Sequence, residues 1–187
     1  MNEKQILRNE IRRRKQSCPK EQLEAWSQAV CRLLEQTEAF QKARTLLLYY
    51  ALPDEVDTDS LIRKYAHSKQ ILLPVVCGDD LVVRRYQNEN TLSAENPFGI
   101  PEPEGEDMNL NEIKIDLIVV PGMAFTADGC RLGRGKGYYD RLLSRPALKE
   151  VPRMGICFPF QLLPELPVEA HDIRMHRVVT LPEGTNQ

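Results

Sequence analysis

The 187-residue chain lacks most of the features that would place it outside the ordinary globular enzymes. No apolar run approaches the roughly 18 residues of a membrane span. The opening stretch MNEKQILRNEIRRRKQ has no apolar core of the kind a signal peptide needs. There is no excess of positive charge: Lys+Arg 25 against Asp+Glu 27 gives a net charge of −2. Nor are exposed aromatics interleaved with basic residues. A protein held electrostatically on nucleic acid is usually basic, so no nucleic-acid partner and no membrane are expected. The five cysteines, Cys18, Cys31, Cys77, Cys130 and Cys157, form no CxxC pair. That excludes a zinc ribbon or thioredoxin-type motif and fits a reducing cytoplasm. The three histidines make no HExxH, and there is no GxSxG.

What is present reads as α/β. Apolar residues are 42% and charged residues 28% of the chain, enough to build a core without disulfides or metal. The periodicity predicts helices over 3–15 and 20–42, the first carrying Lys4 and Arg8 one turn apart. Arg12, Arg13, Arg14 and Lys15 read as a solvated basic face. Continuous apolar runs at 45–51, 71–76 and 115–120 have the length of strands buried on both faces, usually parallel ones. Asp57 to Ser60 offers helix caps. Strands are also expected at 81–86, 154–158 and 177–181, a long loop at 88–112, and a helix over 137–148 after a glycine-rich loop. The expectation is a single domain, 1–187: a three-layer α/β/α unit with a mostly parallel sheet, preceded by N-terminal helices.

The densest chemical signal is RLGRGKGYYD at 131–140, which follows PGMAF at 121–125. Gly133, Gly135 and Gly137 alternate with Arg134 and Lys136, and Arg131 leads them. Glycines let backbone N–H groups approach phosphate oxygens, a helix start adds partial positive charge, and the cations add full charges. This is not a Walker A loop, because Cys130 stands where its first glycine belongs and Gly137 where it has Ser or Thr. Nor is it GxGxxG. Asp140, one turn beyond Lys136, is placed for a carboxylate that holds Mg²⁺ on phosphates.

These residues resemble the signature of the 5-formyltetrahydrofolate cyclo-ligase family, also called 5,10-methenyltetrahydrofolate synthetases. Lys4-Gln-Ile-Leu-Arg8, Pro53 to Thr58, Phe98-Gly-Ile-Pro-Glu-Pro103 and His171-Asp172 extend the resemblance along nearly the whole chain. It implies ATP- and Mg²⁺-dependent closure of 5-formyltetrahydrofolate, free or polyglutamylated, to 5,10-methenyltetrahydrofolate by a monomeric cytoplasmic enzyme. It implies roles as well. Lys4, Arg8 and the run Arg131, Leu132, Gly133, Arg134, Gly135, Lys136, Gly137, Tyr138 and Tyr139 would wrap ATP, with Lys136 and Arg134 nearest the transferred group. Tyr50, Glu55, Phe98 and residues 134–138 would face folate, with Pro101 and Pro103 stiffening that wall. Asp140 and Asp172 would hold the metal. His176 departs from the acidic residue the family often carries there. Similar α/β scaffolds also host sugar-phosphate isomerases and CoA-transferases, which need no ATP.

Overall fold

The computed structural model describes residues 2–96, 99–182 and 184. Helix α1, Glu3–Ser17, starts where Asn2 accepts the backbone N–H of Gln5, and α2 spans Lys20–Glu35 behind Pro19. The single helix expected over 20–42 is interrupted. Thr37 caps a new short helix, α3 at Glu38–Lys42, its hydroxyl accepting from Phe40 N and donating to Leu34 O. A side chain that competes for backbone groups favours a cap over a helix interior.

Strand β1, Thr45–Leu47, is shorter than the apolar run that announced it. Leu48 N still reaches Leu72 O, but the chain then leaves the sheet with Tyr49 and Tyr50. Helix α4 is Asp59–Tyr65, β2 is Gln70–Cys77 and β3 is Asp80–Arg85. Thr58, the residue capping α4, makes no capping hydrogen bond and instead donates to Tyr49 O. Within the expected loop over 88–112, a 3₁₀ turn at Glu89–Thr91 and the two-residue strands β4, Leu92–Ser93, and β5, Glu102–Pro103, pair into a small ribbon.

Strand β6, Leu117–Val120, is buried on both faces. The following segment is no simple loop: β7, Ala124–Phe125, pairs antiparallel with β8, Arg131–Leu132. Helix α5 is Tyr138–Leu143 and ends well before 148, because Pro146 can only restart the chain as a 3₁₀ turn. Strands β9, Arg153–Ile156, and β10, Arg177–Val179, complete the sheet.

The six strands run in the order β10-β9-β6-β1-β2-β3, all parallel except the β2–β3 hairpin. Side chains alternate between two apolar layers. Leu46, Leu48, Ile71, Leu73, Leu117 and Val119 face α2, α3 and α4. Leu47, Leu72, Ile118 and Val120 face α5 and the segment around Met175. Helix α1 sits apart, its Ile11 packed with Met123, Ala124 and Leu132 of the β7–β8 hairpin. From β1 the chain proceeds to one side through β2, and from β6 to the other through β9. The crevice beyond the carboxyl ends of β1 and β6 is therefore the topological switch point, where α/β sheets place their ligands.

Gly129 joins two structures that converge there. Its φ is +94°, and a Cβ would lie 2.1 Å from Met175 O. Met175 N in turn donates to Gly129 O at 2.8 Å, tying the segment before β10 to the hairpin. Gly129→Ala combines left-handed strain with a backbone clash. It should cost at least about 2 kcal/mol, or some 4–8 °C in Tm for a chain this size. A Tm within a degree of wild type by calorimetry would contradict this reading of the turn.

Candidate active site

A cavity of about 480 Å³ opens at the switch point. Tyr49, Tyr50, Leu52 and Glu55 enter from the chain after β1, Pro121 and Gly122 from the end of β6, and residues 131–141 from β8 through α5. Lys4 and Arg8 come from α1, and Glu169, His171 and Asp172 from the turn before β10. Thus Lys4, Arg8, Tyr50, Glu55, Asp140, Asp172 and all of 131–139 line one space. Phe98 lies outside the described residues.

The cations are not equally available. Arg131, with its side chain 4% exposed, is committed inward: Nη1 donates to Pro121 O at 3.2 Å and Nη2 to Asp140 Oδ2 at 3.0 Å. Its guanidinium also stands over the Tyr139 ring, 5.6 Å from the centroid. Its Nε is buried and has no acceptor among the described residues. Arg8 Nε donates to Gly133 O at 2.8 Å, so α1 braces the glycine loop from outside. Arg134 Nε and Nη2 reach Glu55 Oε1 at 3.1 and 3.0 Å, and Nη2 also donates to Asp54. Lys136 is exposed on the cavity wall, and among the described residues its ammonium makes no hydrogen bond or ion pair. Its carbonyl accepts from Arg141 Nη1 at 3.0 Å. Gly135 and Gly137 have φ of +106° and +69°, and the left-handed Gly137 turns the loop into α5.

On the opposite wall, Glu55 Oε2 accepts from Leu52 N at 3.0 Å. Tyr50 is half-buried and bonds Asp59, whose carboxyl is pushed up to about 6 by burial and by nearby Asp57. Tyr138 donates to Gly78 O at 3.3 Å, with Arg141 over its ring. Burial raises the Tyr139 phenol well above its ordinary value.

The two carboxylates expected to hold the metal come from adjoining segments. Asp140 Oδ1 accepts from Ile173 N at 3.2 Å, which places it beside the residue that follows Asp172. Among the described residues, the metal-capable donor atoms that crowd together are those of Glu169, His171 and Asp172, all within 4.8 Å; Asp140 is not among them. Lys4 Nζ sits on this group, 2.6 Å from Glu169 Oε2 and 2.7 Å from Asp172 Oδ2. His176 does not line the cavity. Its Nδ1 accepts from Arg153 N at 3.1 Å and its N–H donates to Arg153 O, so it belongs to the β9–β10 edge.

Sequence reasoning missed several residues that matter here. Glu169, Tyr49 and Arg141 line the cavity, and Asp54 holds Arg134. Lys15 corrects an expectation: Arg12, Arg13 and Arg14 are exposed, but Lys15 is only 4% exposed, with Nζ 3.3 Å from Asp54. Its signal was available in the period of α1, because Lys15 lies four residues after the buried Ile11.

The model of the 5-formyltetrahydrofolate cyclo-ligase family matches residues 1–181. A probable 5-formyltetrahydrofolate cyclo-ligase of Schizosaccharomyces pombe is 32% identical, the match covering 84% of this chain and 85% of that one. The 5-formyltetrahydrofolate cyclo-ligase of Haemophilus influenzae is 30% identical over 94% and 96%. Among solved structures, a 5,10-methenyltetrahydrofolate synthetase from Aquifex aeolicus superposes with a TM-score of 0.82 at 35% identity, covering 95% of this chain and 89% of its own.

The Lys4 clasp has a definite pH signature. Burial opposes ionisation of Asp172, but bonds from Lys4 and Glu169 N–H outweigh it and hold the carboxyl below its ordinary 3.8. Burial likewise opposes the Lys4 charge, yet Asp172 and Glu169 raise its pKa above 10.5. A depressed carboxylate contributes stability above its unfolded pKa and loses it as pH falls through the folded value. A raised ammonium contributes below its unfolded pKa and loses it as pH climbs through the folded value. The clasp is therefore intact at pH 7 and fails in acid. Lys4→Met should lower Tm by roughly 2–5 °C at pH 7, and the difference should narrow as pH is taken below about 3. An equal deficit at both pH values would show that Lys4 acts through packing instead.

Proposed function

The chain belongs to the 5-formyltetrahydrofolate cyclo-ligase family, and from that premise we propose that it closes 5-formyltetrahydrofolate to 5,10-methenyltetrahydrofolate while converting ATP to ADP and phosphate. The N5-formyl group is an amide, and resonance of the kind that gives peptide bonds a rotation barrier of about 18–20 kcal/mol makes its oxygen a poor leaving group. Transfer of the γ-phosphoryl group to the formyl oxygen turns that oxygen into part of a phosphate. N10 then attacks the formyl carbon and loses its proton, phosphate departs, and the cationic methenyl bridge remains. The protein's part is alignment and charge neutralisation.

The observation that carries this reading is that one cavity holds both the glycine–cation loop and the largely buried carboxylate of Glu55. The loop suits a polyphosphate. Lys136 has no partner among the described residues, and Arg131 Nε is a buried donor without an acceptor. We assign Lys136 and Arg134 to the transferring group, and Lys4, Arg8 and residues 131–139 to ATP. Glu55 presents its carboxylate to the cavity and suits the N3–H and 2-amino edge of a pterin, and Tyr50 and Tyr138 line the same cavity. Asp140 and Asp172 offer hard oxygen donors of the type Mg²⁺ prefers. Bound there, Mg²⁺ would supply charge neutralisation on the phosphates. We further read the chain as a single domain acting as a cytoplasmic monomer; among the described residues no helix is long and apolar enough to cross a membrane.

The test is spectrophotometric. MgATP and 5-formyltetrahydrofolate together should give methenyltetrahydrofolate with one phosphate released per ring closed. No ring closure and no ATP consumption would favour the ATP-independent isomerase or transferase chemistry of related scaffolds, and phosphate release without ring closure a plain ATPase. Lys136→Ala should lower kcat at least about a hundredfold with Tm unchanged, since a loop cation adds little to the core. Near-normal turnover by that variant would remove Lys136 from the mechanism. Glu55→Gln should raise the folate KM by roughly 10- to 150-fold, the loss of a charged hydrogen bond, and leave ATP affinity nearly as it was. The reverse pattern would assign Glu55 to the nucleotide.

A further inference from the structure

Behind the cavity wall lies a charge that none of these roles uses. Lys15 is in the last turn of α1, its side chain only 3% exposed and its Nζ 3.3 Å from Asp54 Oδ2. A buried ammonium is retained at a cost unless its surroundings answer it. Asp54 answers with one oxygen and gives the other to Arg134 Nη2. Arg134 in turn places Nε and Nη2 on Glu55 Oε1. The contacts run ammonium, carboxylate, guanidinium, carboxylate, with the signs alternating. Arg134 and Glu55 line the cavity; Lys15 and Asp54 do not. Besides this acid–base set, the group facing Lys15 is the buried thiol of Cys157.

We propose that Lys15 is a positioning residue: by fixing Asp54 from behind, it sets Arg134 against Glu55 and so shapes the folate-facing wall. The inference rests on the folate reading of Glu55 given above. Arg134 needs such a hold. It stands between Gly133 and Gly135, in a stretch with little side-chain packing of its own, and a long guanidinium side chain there has many rotamers to lose. The electrostatics agree with the geometry. Burial works against the charge on Asp54, but Lys15 and Arg134 together hold its carboxyl below the usual range. Burial, aided by Arg134, brings Lys15 below an ordinary lysine despite Asp54 and Glu55. A hydrophobic side chain would fill the same space without the energetic penalty, so packing alone does not account for a charge at this position.

The experiment is a double-mutant cycle on the full chain with Lys15→Met, Asp54→Asn and the pair combined. Thermal unfolding checks the fold, calorimetry measures MgADP binding, fluorescence titration measures 5-formyltetrahydrofolate binding, and methenyl formation gives kcat/KM. Each single variant should lose about tenfold in kcat/KM for the folate and keep MgADP affinity within about twofold. The double variant should be no worse than the poorer single, because both changes cut the same link. Lys15→Arg, which keeps the charge, should recover most of the loss. A folded Lys15→Met with wild-type kcat/KM and folate affinity would overturn the proposal, and so would single losses that multiply to about a hundredfold. If Lys15→Met fails to fold, wild-type kinetics in Asp54→Asn overturn it equally. A wild-type chain that binds the folate without closing the ring sinks the catalytic reading instead, and the Lys15 effect is then read from folate affinity alone.

Discussion

A guanidinium with 4% of its side chain exposed must have its charge met inside the protein, and Arg131 meets it with Asp140. That pair is the joint of the site. Through Arg131 it connects the β7–β8 hairpin to Pro121 O at the end of β6. Through Asp140 it connects the first turn of α5 to Ile173 N in the segment before β10. Pieces from four places in the sequence are thereby fixed around one crevice. Replacing a buried ion pair wholesale by apolar groups is often tolerated, but removing one partner strands the other charge, typically at about 3–5 kcal/mol. The joint is therefore stiff, and the glycine loop between its two residues can be open and free of packing without losing its place.

This stiffness bears on the metal. Both oxygens of Asp140 already accept hydrogen bonds, and Asp172 Oδ2 accepts from Lys4 and Glu169 N. Under the proposed reading, a divalent cation held by this pair would have to share oxygens that already accept hydrogen bonds. Lys4 lies where a cation is already wanted, between Asp172 and Glu169. The donor group around Asp172 includes Glu169 and His171, so the neighbourhood is richer in potential ligands than the two aspartates that the family resemblance named.

The layer order of the fold was legible because apolar runs at 71–76 and 115–120 can only be strands buried on both sides. Chain ends and breaks were less so. Thr37 divides a helix whose apolar period continues past it, and Pro146 stops α5 early for a reason visible only once a helix is placed there. The β7–β8 hairpin was hidden because two-residue strands have no periodicity to read. Residues that line the candidate site were legible where the motif is local, as in 131–140. Residues whose meaning depends on distant partners were not. Lys15 in a run of arginines looks solvated, and only the approach of Asp54, 39 positions on, gives it a role. Glu169 likewise becomes a site residue through Lys4, 165 positions away.

The charges lining the cavity explain how a site rich in cations keeps its shape. Lys4, Arg8, Arg131, Arg134, Lys136 and Arg141 face Glu55, Glu102, Asp140, Glu169 and Asp172. Six cations against five carboxylates leave the wall nearly neutral. Lys4, Arg131, Arg134 and Arg141 each rest on a carboxylate, Arg141 on Asp80 outside the lining. Unpaired, these side chains would repel one another and spread into solvent; paired, they wait in ordered positions. An anionic ligand then finds donors that need little reorganisation, which is the condition under which electrostatic stabilisation of a transferring group is strong. Arg8 and Lys136 are the exceptions: Arg8 gives its Nε to Gly133 O, and Lys136 is exposed, its ammonium without a partner among the described residues. Under the proposed reading, a charge held by no carboxylate would give up no internal bond to an arriving phosphate, and its interaction with the developing charge would be undiluted. By that argument the cation best suited to the transferring group is the one the protein leaves unpaired.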